Sequence, residues 1–177
     1  MSGKVTDNLS KSSGLVKAAT AGGLLQIKQT VKTDTTTQVT TPGSWHAVSG
    51  MTVDITPAAT ANKILVMVDQ PFGANKGTSH SDQGLAYEIW RDIGGGGYSV
   101  RKNFSGTGTN IRVYLLDNDT SVASSLAGSL SYSYLDSPAT TSACSYRIYM
   151  GQWSARSNIE CNPWENMTTW VLQEIAQ

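Results

Sequence analysis

Short runs in which apolar and polar residues alternate recur along this chain, and Gly, Pro, Asn and Ser separate them. The first run lies between residues 24 and 31, where Leu25, Ile27 and Val31 share one side and polar residues occupy the other. A period of two places successive side chains on opposite faces of a strand, so this run predicts a half-buried β-strand. No convincing stretch repeats its apolar residues with the period of a helix, which argues against a helical fold.

The same alternation predicts further strands, around residues 45–55, 84–91, 98–100, 111–115, 130–134, 146–150 and 170–175. Ile64–Val68 is instead a continuous apolar run, which is typical of a central strand covered on both faces. Gly50 interrupts one run and predicts a bulge or bend there. The four glycines at 94–97 lack the Lys-Ser/Thr ending of a phosphate-binding loop, so they predict a hairpin tip.

The chain is polar without being highly charged. Ser and Thr make up about 23% of the 177 residues and charged residues 15%, with a formal net charge of zero. Small hydroxyl residues suit the outer faces of strands and turns better than the surfaces of helices. Binding to nucleic acid through counterion release needs clustered Lys and Arg, so the balance of charge argues against such a partner. It also leaves little repulsion between copies of the chain, which favours association.

These features predict a single folded domain of the all-β class. About eight strands fit, which indicates an antiparallel β-sandwich that is jelly-roll-like. Residues 1–23 mix Ser, Lys, Gly and Ala, and we expect an N-terminal arm that is flexible or serves for attachment. Residues 24–177 are expected to form the sandwich, and residues 118–129 to hold one helical turn at most.

Signals for compartment and redox state are few. No apolar run approaches the ~20 residues that cross a bilayer, and residues 1–13 lack the apolar core of a signal peptide. Neither membrane insertion nor export by that route is therefore expected. Cys144 and Cys161 belong to no Cys-x-x-Cys motif, so we interpret them as buried free thiols, with a disulfide between two strands as the alternative.

No motif in the sequence predicts catalysis, a metal site or a cofactor. His46 and His80 lie far apart, and a pair such as His80 and Asp82 supplies too few ligands for a metal site. The acidic stretch at 117–120 lacks the glycine and the terminal glutamate of a calcium loop, and it is interpreted as an Asx-rich turn. No nucleophile elbow accompanies any Ser, so we expect neither a catalytic triad nor an enzyme.

Aromatic residues are concentrated in the last third of the chain. Trp153 and Trp164 stand out because they fall in the stretch 151–168, which has no strand-like alternation and is interpreted as a loop. Arg156 and Asn158, in the same stretch, could pair with hydroxyl groups of a ligand. These four residues are the candidate ligand-binding residues, since Trp combines a large stacking area with a polar edge. The alternative is that the aromatic residues form only core and subunit interface.

Several segments keep a joint order over residues 24–176, although each alone is generic strand sequence. They are Leu24–Thr35, Trp45, Met51–Pro57, Asn62–Val68, Tyr134–Thr141 followed by Tyr146, and Trp170–Ala176. In this order the segments resemble proteins of tailed bacteriophages, particularly cyanophages and other marine phages, of the virion structural or tail-fibre type.

The resemblance implies a jelly-roll β-sandwich that forms homotrimers on the virion as a tail or neck fibre or a head decoration. It supplies no catalytic residues. The middle loops, residues 72–83 and 94–110, match poorly, and in fibre-like proteins such loops vary with the receptor. The partners it implies are further copies of the chain, other virion proteins bound through the N-terminal arm, and a host-surface receptor.

A different function remains open beside this one. A carbohydrate-binding, lectin-like module that recognises host surface glycans would use Trp153 and Trp164. An enzyme such as a depolymerase would need carboxylates clustered in a groove, which the sequence does not indicate.

Overall fold

The computed structural model describes residues 21–39, 44–76, 82–102, 111–116, 121, 123–152 and 158–177. These residues form strands and one short 3₁₀ turn, η1, at Pro163–Glu165. The strands in chain order are β1 (Leu24–Lys32), β2 (Thr36–Val39), β3 (Trp45–Ile55), β4 (Lys63–Lys76), β5 (Asp82–Ile93), β6 (Ser99–Lys102), β7 (Ile111–Leu116), β8 (Ser124–Asp136), β9 (Cys144–Gln152), β10 (Asn158–Cys161) and β11 (Thr168–Ile175).

The strands pair into two antiparallel sheets. In the first sheet, β4 lies between β8 on one side and both β10 and β11 on the other, and β1 and β2 pair with β11 and β10. In the second sheet, β9 lies between β3 and β5, and β6 and β7 pair with different parts of β5. The predicted all-β sandwich is therefore confirmed.

In three cases two strands follow one another along the same strand position of a sheet, which we count as one row of strands. These are β1 with β2, β6 with β7, and β10 with β11. Counted by rows, the first sheet has the order β1/β2, β10/β11, β4, β8 and the second the order β3, β9, β5, β6/β7. The described strands thus make eight rows, four in each sheet, and successive strands cross repeatedly between the sheets. Two sheets of four strands connected in this way are a jelly roll, so the predicted count of about eight strands is also confirmed.

The core lies between the sheets and is built from the inward side of each alternating strand. On β11, Trp170 and Leu172 are buried, and on β9 Tyr146 and Ile148 are buried, while the residues between them are partly exposed. Because each fully buried apolar side chain contributes about 1.5–3 kcal/mol, the inward faces of these central strands supply much of the favourable energy of folding.

Two glycine signals in the sequence are confirmed. Gly50 has a φ of 76°, and the pairing of β3 with β9 changes register between Ala47 and Thr52, as expected for a bulge. Gly94, Gly95 and Gly97 also have positive φ and form the turn between β5 and β6. A side chain at these turn positions would be strained, which is why glycines occupy them.

The ends of the predicted middle loop 72–83 are strand, because β4 runs to Lys76 and β5 begins at Asp82. Two further segments differ from their predictions. Residues 124–129, expected to hold at most a helical turn, are the first part of β8, where Ser124 to Ser129 pair with Lys76 to Pro71 of β4. Residues 158–161, within the predicted loop 151–168, form β10 between β2 and β4. Both segments are short or poor in apolar residues, so neighbouring strands and not local pattern determine their structure.

The predicted domain boundary at residue 24 stays a prediction. Residues 1–20 lie outside the described residues, and just before β1 the backbone of Gly22 and Gly23 pairs with Ala176 at distances of 2.7 and 2.8 Å. Among the described residues, no helix is long and apolar enough to cross a membrane.

Candidate functional site

The solvent-facing side of the first sheet carries many of the exposed apolar side chains. Residues paired directly across an antiparallel sheet point to the same face, so the strand register identifies the members of this side. We call it the outer face, and its apolar members include Ile27 and Val31 of β1, Leu65 and Met67 of β4, Leu135 of β8, and Val171 and Ile175 of β11.

One row of the outer face runs across the sheet from edge to edge. Ile27 pairs with Gln173, Gln173 with Leu65, and Leu65 with Leu135. Ile27 is 52% exposed and Leu135 is 53% exposed. Beside this row, a shallow groove of about 380 Å³ is lined by residues including Met67, Thr169 and Val171. The outer face is thus an apolar surface with a concave centre.

Strand β1 turns its apolar side away from the core. The predicted alternation is present, but Leu25, Ile27 and Val31 are all exposed, at 41, 52 and 44%. A half-buried strand normally turns such a side inward. The inward side of β1 instead carries polar residues, including the buried Lys32.

Polar contacts hold β1 in this orientation. The Gln26 side chain donates to Glu174 Oε2 at 2.5 Å and to the Thr56 carbonyl at 2.7 Å. The Lys32 ammonium, whose side chain is 1% exposed, lies 2.8 Å from Asp34 Oδ2. Gln26 and Lys32 thus have polar partners, and the apolar side of β1 is left on the outer face.

Strand β4 also differs from its prediction, because it is not covered on the outer face. The run Ile64–Val68 predicts a central strand covered on both sides, and it is central, between β11 and β8. Ile64, Val66 and Val68 are buried, whereas Leu65 and Met67 are only partly buried and point to the outer face. In a single chain the outer side of this strand is therefore uncovered.

The four candidate ligand-binding residues differ in where the structure places them. Trp153 and Arg156 lie outside the described residues, and Asn158 contributes its backbone to β10, opposite Val39. Trp164 lies in η1 and is 78% exposed. Trp164 therefore lies outside the strands, as its place in a stretch without alternation indicates, and ligand binding by the four residues stays a prediction.

The turn that presents Trp164 has an unusual backbone. Asn162, Trp164 and Glu165 have φ values of 54°, 57° and 58°, in the left-handed region that non-glycine residues seldom adopt. Each such residue costs of order 1–3 kcal/mol and persists only where surrounding contacts hold it.

Asn162 supplies those contacts. It is fully buried, and its side-chain amide donates to the Lys32 carbonyl at 2.8 Å, while its backbone N–H donates to the Pro71 carbonyl at 3.1 Å. Thr35 Oγ1 donates to the Asn162 carbonyl at 2.5 Å. On the other side of the tryptophan, the Asn166 side chain donates to the Pro163 carbonyl at 2.9 Å. The exposed indole therefore projects from a firmly held turn.

Two clusters of buried polar groups connect distant parts of the sandwich. Asp136 of β8 accepts hydrogen bonds from Tyr146 and Tyr134 and pairs with Arg91. Burial raises the pKa of the Tyr146 hydroxyl, and the neighbouring Asp136 raises it further. Glu174 of β11 accepts hydrogen bonds from Gln26 and from the connector that precedes β4. Their partners lie on other strands and connectors, so we assign both clusters a structural role.

The described residues contain no group of three or more His, Cys, Asp and Glu side chains that could hold a metal ion. His46 is partly buried in β3, opposite Met150, whereas His80 and the acidic stretch 117–120 lie outside the described residues. Cys144 and Cys161 are buried free thiols, which confirms that interpretation.

No protein-family model matches the chain, and no curated protein is significantly similar to it. Among solved structures, a chain of the Gt strain of infectious bursal disease virus is similar at 10% identity and a TM-score of 0.33, over 89% of this chain and 39% of that one. The VP2 subviral particle of the same virus is similar at 8% identity and 0.31, over 86% and 37%. This chain thus spans about two fifths of the viral chains.

A xylan-binding domain, CBM22-1 of Xyn10C from Paenibacillus barcinonensis, is similar at 13% identity and a TM-score of 0.27, over 90% of this chain and 99% of that one. None of these three structures comes from a tailed bacteriophage. At these identities and TM-scores, the similarities assign the chain to no family and to no function.

Proposed function

We propose that this protein is a non-enzymatic structural subunit of a virus particle, and that it assembles as a homotrimer through the outer face of its first sheet. The observation that carries the proposal is the exposure of the apolar side of β1 together with the partly uncovered apolar run of β4. Both are sequence patterns of buried surfaces, and in the single chain both face solvent. A further copy of the chain would cover them.

The chemistry of the outer face suits a contact between copies. Burying apolar surface gains about 25 cal/mol per Å², and a stable interface covers about 800 Å² on each partner. The formal net charge of zero means that two copies approach without net repulsion. Lys63 and Asp69 border the apolar area and carry opposite charges, so they offer complementary contacts at its rim.

The topology supports the viral assignment only in general terms, since jelly rolls serve in viral capsids and also in lectins. The finer assignment, a tail or neck fibre or a head decoration of a tailed bacteriophage, rests on the resemblance over residues 24–176. In this proposal the arm of residues 1–23 attaches the subunit to other virion proteins, and the protein is located in the virion.

Assembly is tested by measuring the mass of the purified chain by light scattering after size exclusion, across micromolar concentrations. We expect three times the mass of one chain. The double variant Ile27→Lys/Leu135→Lys should be monomeric, because it places a charge at each end of the apolar row. The control Ala143→Lys adds a charge at an exposed site just before β9, in the second sheet, and should stay trimeric.

A wild-type chain that is monomeric at all these concentrations would contradict the proposal, and so would a double variant that keeps the trimer. Location is tested separately, by finding the density of the protein in electron micrographs of purified virions. A particle without this density would remove the virion assignment and leave the assembly result standing.

A second candidate function, binding of a host-surface glycan, is favoured by the exposed Trp164 on its firmly held turn.

A further inference from the structure

We infer that the groove beside Trp164 binds a neutral sugar in its pyranose form. The inference rests on the second candidate function. The groove lies on the same side of the first sheet as the outer face, but away from the row that runs from Ile27 to Leu135. The groove has a volume of about 380 Å³, within the range of small-ligand sites, and Trp164, Pro163, Ser129 and Asn166 contribute to its lining. The indole of Trp164, which is 78% exposed, forms one wall.

Stacking against Trp164 is the first part of the argument. The indole offers a large flat area that is 78% exposed, and the hydrogen bonds of Asn162 and Asn166 hold the turn beneath it. A pyranose ring presents axial C–H groups on one face and hydroxyls around its edge. An aromatic ring already held in place gains this contact at little cost in conformational entropy.

Small residues leave the space next to the indole open. On β8, Ala127 is exposed and Gly128 follows it, and on β4 Gly73 pairs with Ala127. A Cβ at Gly73 would lie 3.2 Å from the Pro163 side chain, and one at Gly128 would lie 3.0 Å from the Phe72 ring. Tight packing therefore favours glycine at both positions, and the residues of β8 that line the groove beside Trp164, Ala127 and Gly128, have little or no side chain.

Polar groups at the edge of the groove match the hydroxyls of a sugar. Ser129 Oγ lines the groove and donates to Asp69 Oδ1 at 2.8 Å, and Ser131 donates to the same oxygen at 2.9 Å. Asn166 also lines the groove and carries a side-chain amide. Hydroxyls, an amide and a carboxylate can together donate to and accept from vicinal hydroxyl groups.

The charge around the groove favours a neutral ligand over an acidic one. Asp69, Glu160 and Glu165 lie near it: Asp69 bonds to Ser129, Glu160 lies beside Gly73, and Glu165 follows Trp164. No basic side chain is among the described residues that line the groove. An anionic sugar such as a uronic or sialic acid would approach carboxylates without a cation to pair with it.

The groove is distant from the row of residues that tests assembly. Phe72, which also contributes to the groove, lies seven residues along β4 from Leu65, about 23 Å at the rise of an antiparallel strand. Variants in the groove therefore need not disturb the row from Ile27 to Leu135. Because of this separation, experiments can contradict sugar binding and trimer assembly one at a time.

Binding is tested by saturation-transfer NMR on the full chain with methyl glycosides of glucose, galactose, mannose and xylose. The methyl glycosides of glucuronic acid and N-acetylneuraminic acid serve as acidic comparators. We expect saturation transfer to at least one neutral glycoside, strongest at the C–H groups of one ring face, and none to the acidic pair. Affinity for that glycoside is then obtained by titration.

Three variants locate the site. Trp164→Asn removes the ring but suits the left-handed backbone, so the turn should persist, and binding should weaken by at least about tenfold. Ala127→Phe fills the groove while keeping Trp164, and it should have the same effect. The control Met167→Ala removes an exposed side chain near the turn that does not line the groove, and it should bind as the wild type does.

Each variant is also examined by light scattering and thermal unfolding. Absence of binding to every neutral glycoside, binding to the acidic glycosides only, or binding that survives both Trp164→Asn and Ala127→Phe would overturn the inference. If Trp164→Asn dissociates a trimer and the wild type binds no sugar, Trp164 belongs to the subunit interface and the inference is wrong. Failure of trimer assembly with intact sugar binding would remove only the first proposal.

Discussion

The Tyr146 hydroxyl donates a hydrogen bond of 2.7 Å to Asp136 Oδ2, and this bond joins the two sheets through the core. The same carboxylate pairs with Arg91 of β5 and accepts from Tyr134 at 2.8 Å. Arg91 and Asp136 are almost fully buried. A buried charge of this kind is stable only while its partner is present.

Asp136→Asn should therefore destabilise the fold by about 3–5 kcal/mol, because it leaves the Arg91 guanidinium buried without its counter-charge. Tyr146→Phe should cost less, about 1.5–3 kcal/mol, since it removes one hydrogen bond to a charged group. The free energy of unfolding in urea measures both. The control is Asp54→Asn on β3, whose exposed carboxylate accepts from Ser145, and it should change stability by no more than about 0.5 kcal/mol. Equal effects at positions 136 and 54 would show that the buried cluster has no special role.

Glu174 predicts a dependence of stability on pH. Its Oε1 accepts from Ala58 N at 2.7 Å and from Asn62 Nδ2 at 2.6 Å, and Oε2 accepts from Gln26. Burial alone raises the pKa of this carboxyl, but the hydrogen bonds from Asn62, Gln26 and Ala58 outweigh it, so the pKa is below its ordinary value. A lowered pKa in the folded state stabilises the fold above the unfolded pKa of ~4.3, and this contribution is lost as pH falls through the folded value.

At neutral pH, Glu174→Gln should reduce the free energy of unfolding by about 1–3 kcal/mol. The difference between wild type and variant should then shrink steadily from about pH 5 to pH 3. Urea unfolding of both proteins across this range measures it, and taking the difference cancels the titration of the other carboxylates. A difference that stays constant over the range would contradict the assigned shift.

Local pattern was sufficient to predict the strands whose inward side is apolar. On β9 and β11 every second residue enters the core, so alternation in the sequence maps directly onto burial. The count of about eight strands followed from the same signal. The bulge at Gly50 and the turn at 94–97 were predicted from their glycines, because glycine adopts a positive φ without strain.

The orientation of β1 could not be predicted in this way. Glu174, which accepts from Gln26, is 148 residues further along the chain, and Asn162 reaches the Lys32 carbonyl from 130 residues away. Such contacts exist only in the assembled fold, and they place the polar side of β1 inward. The same limitation applies to β10, whose four residues are a strand because β2 and β4 flank them.

The candidate site was predicted in part. Trp164 is a candidate in the sequence because it falls in the stretch 151–168, which has no strand-like alternation, and in the structure its indole is exposed. The neighbouring Ser129 and Ala127 were missed, since they lie about 35 positions earlier on β8, within a stretch of Ser, Ala and Gly that carries no motif. Only the pairing of β8 with β4 places them beside the turn.

The two cysteines give a prediction about reactivity. Burial raises the pKa of the Cys161 thiol to about 11, although hydrogen bonds with Gln70 and Thr168 oppose this change. Burial also raises the pKa of Cys144, and neighbouring Arg91 only partly offsets it. Because the thiolate is the reactive form, a thiol that is both buried and protonated reacts slowly.

In the native protein at about pH 8, neither thiol should react with Ellman's reagent on the timescale of an exposed cysteine. In concentrated guanidinium without reductant, two thiols per chain should react at once, because both cysteines are free. Cys161→Ala provides the matched control and should lose one of these two equivalents. Rapid reaction in the native state would show that the core opens at these strands, and an absence of thiols after unfolding would show a disulfide in place of two free cysteines.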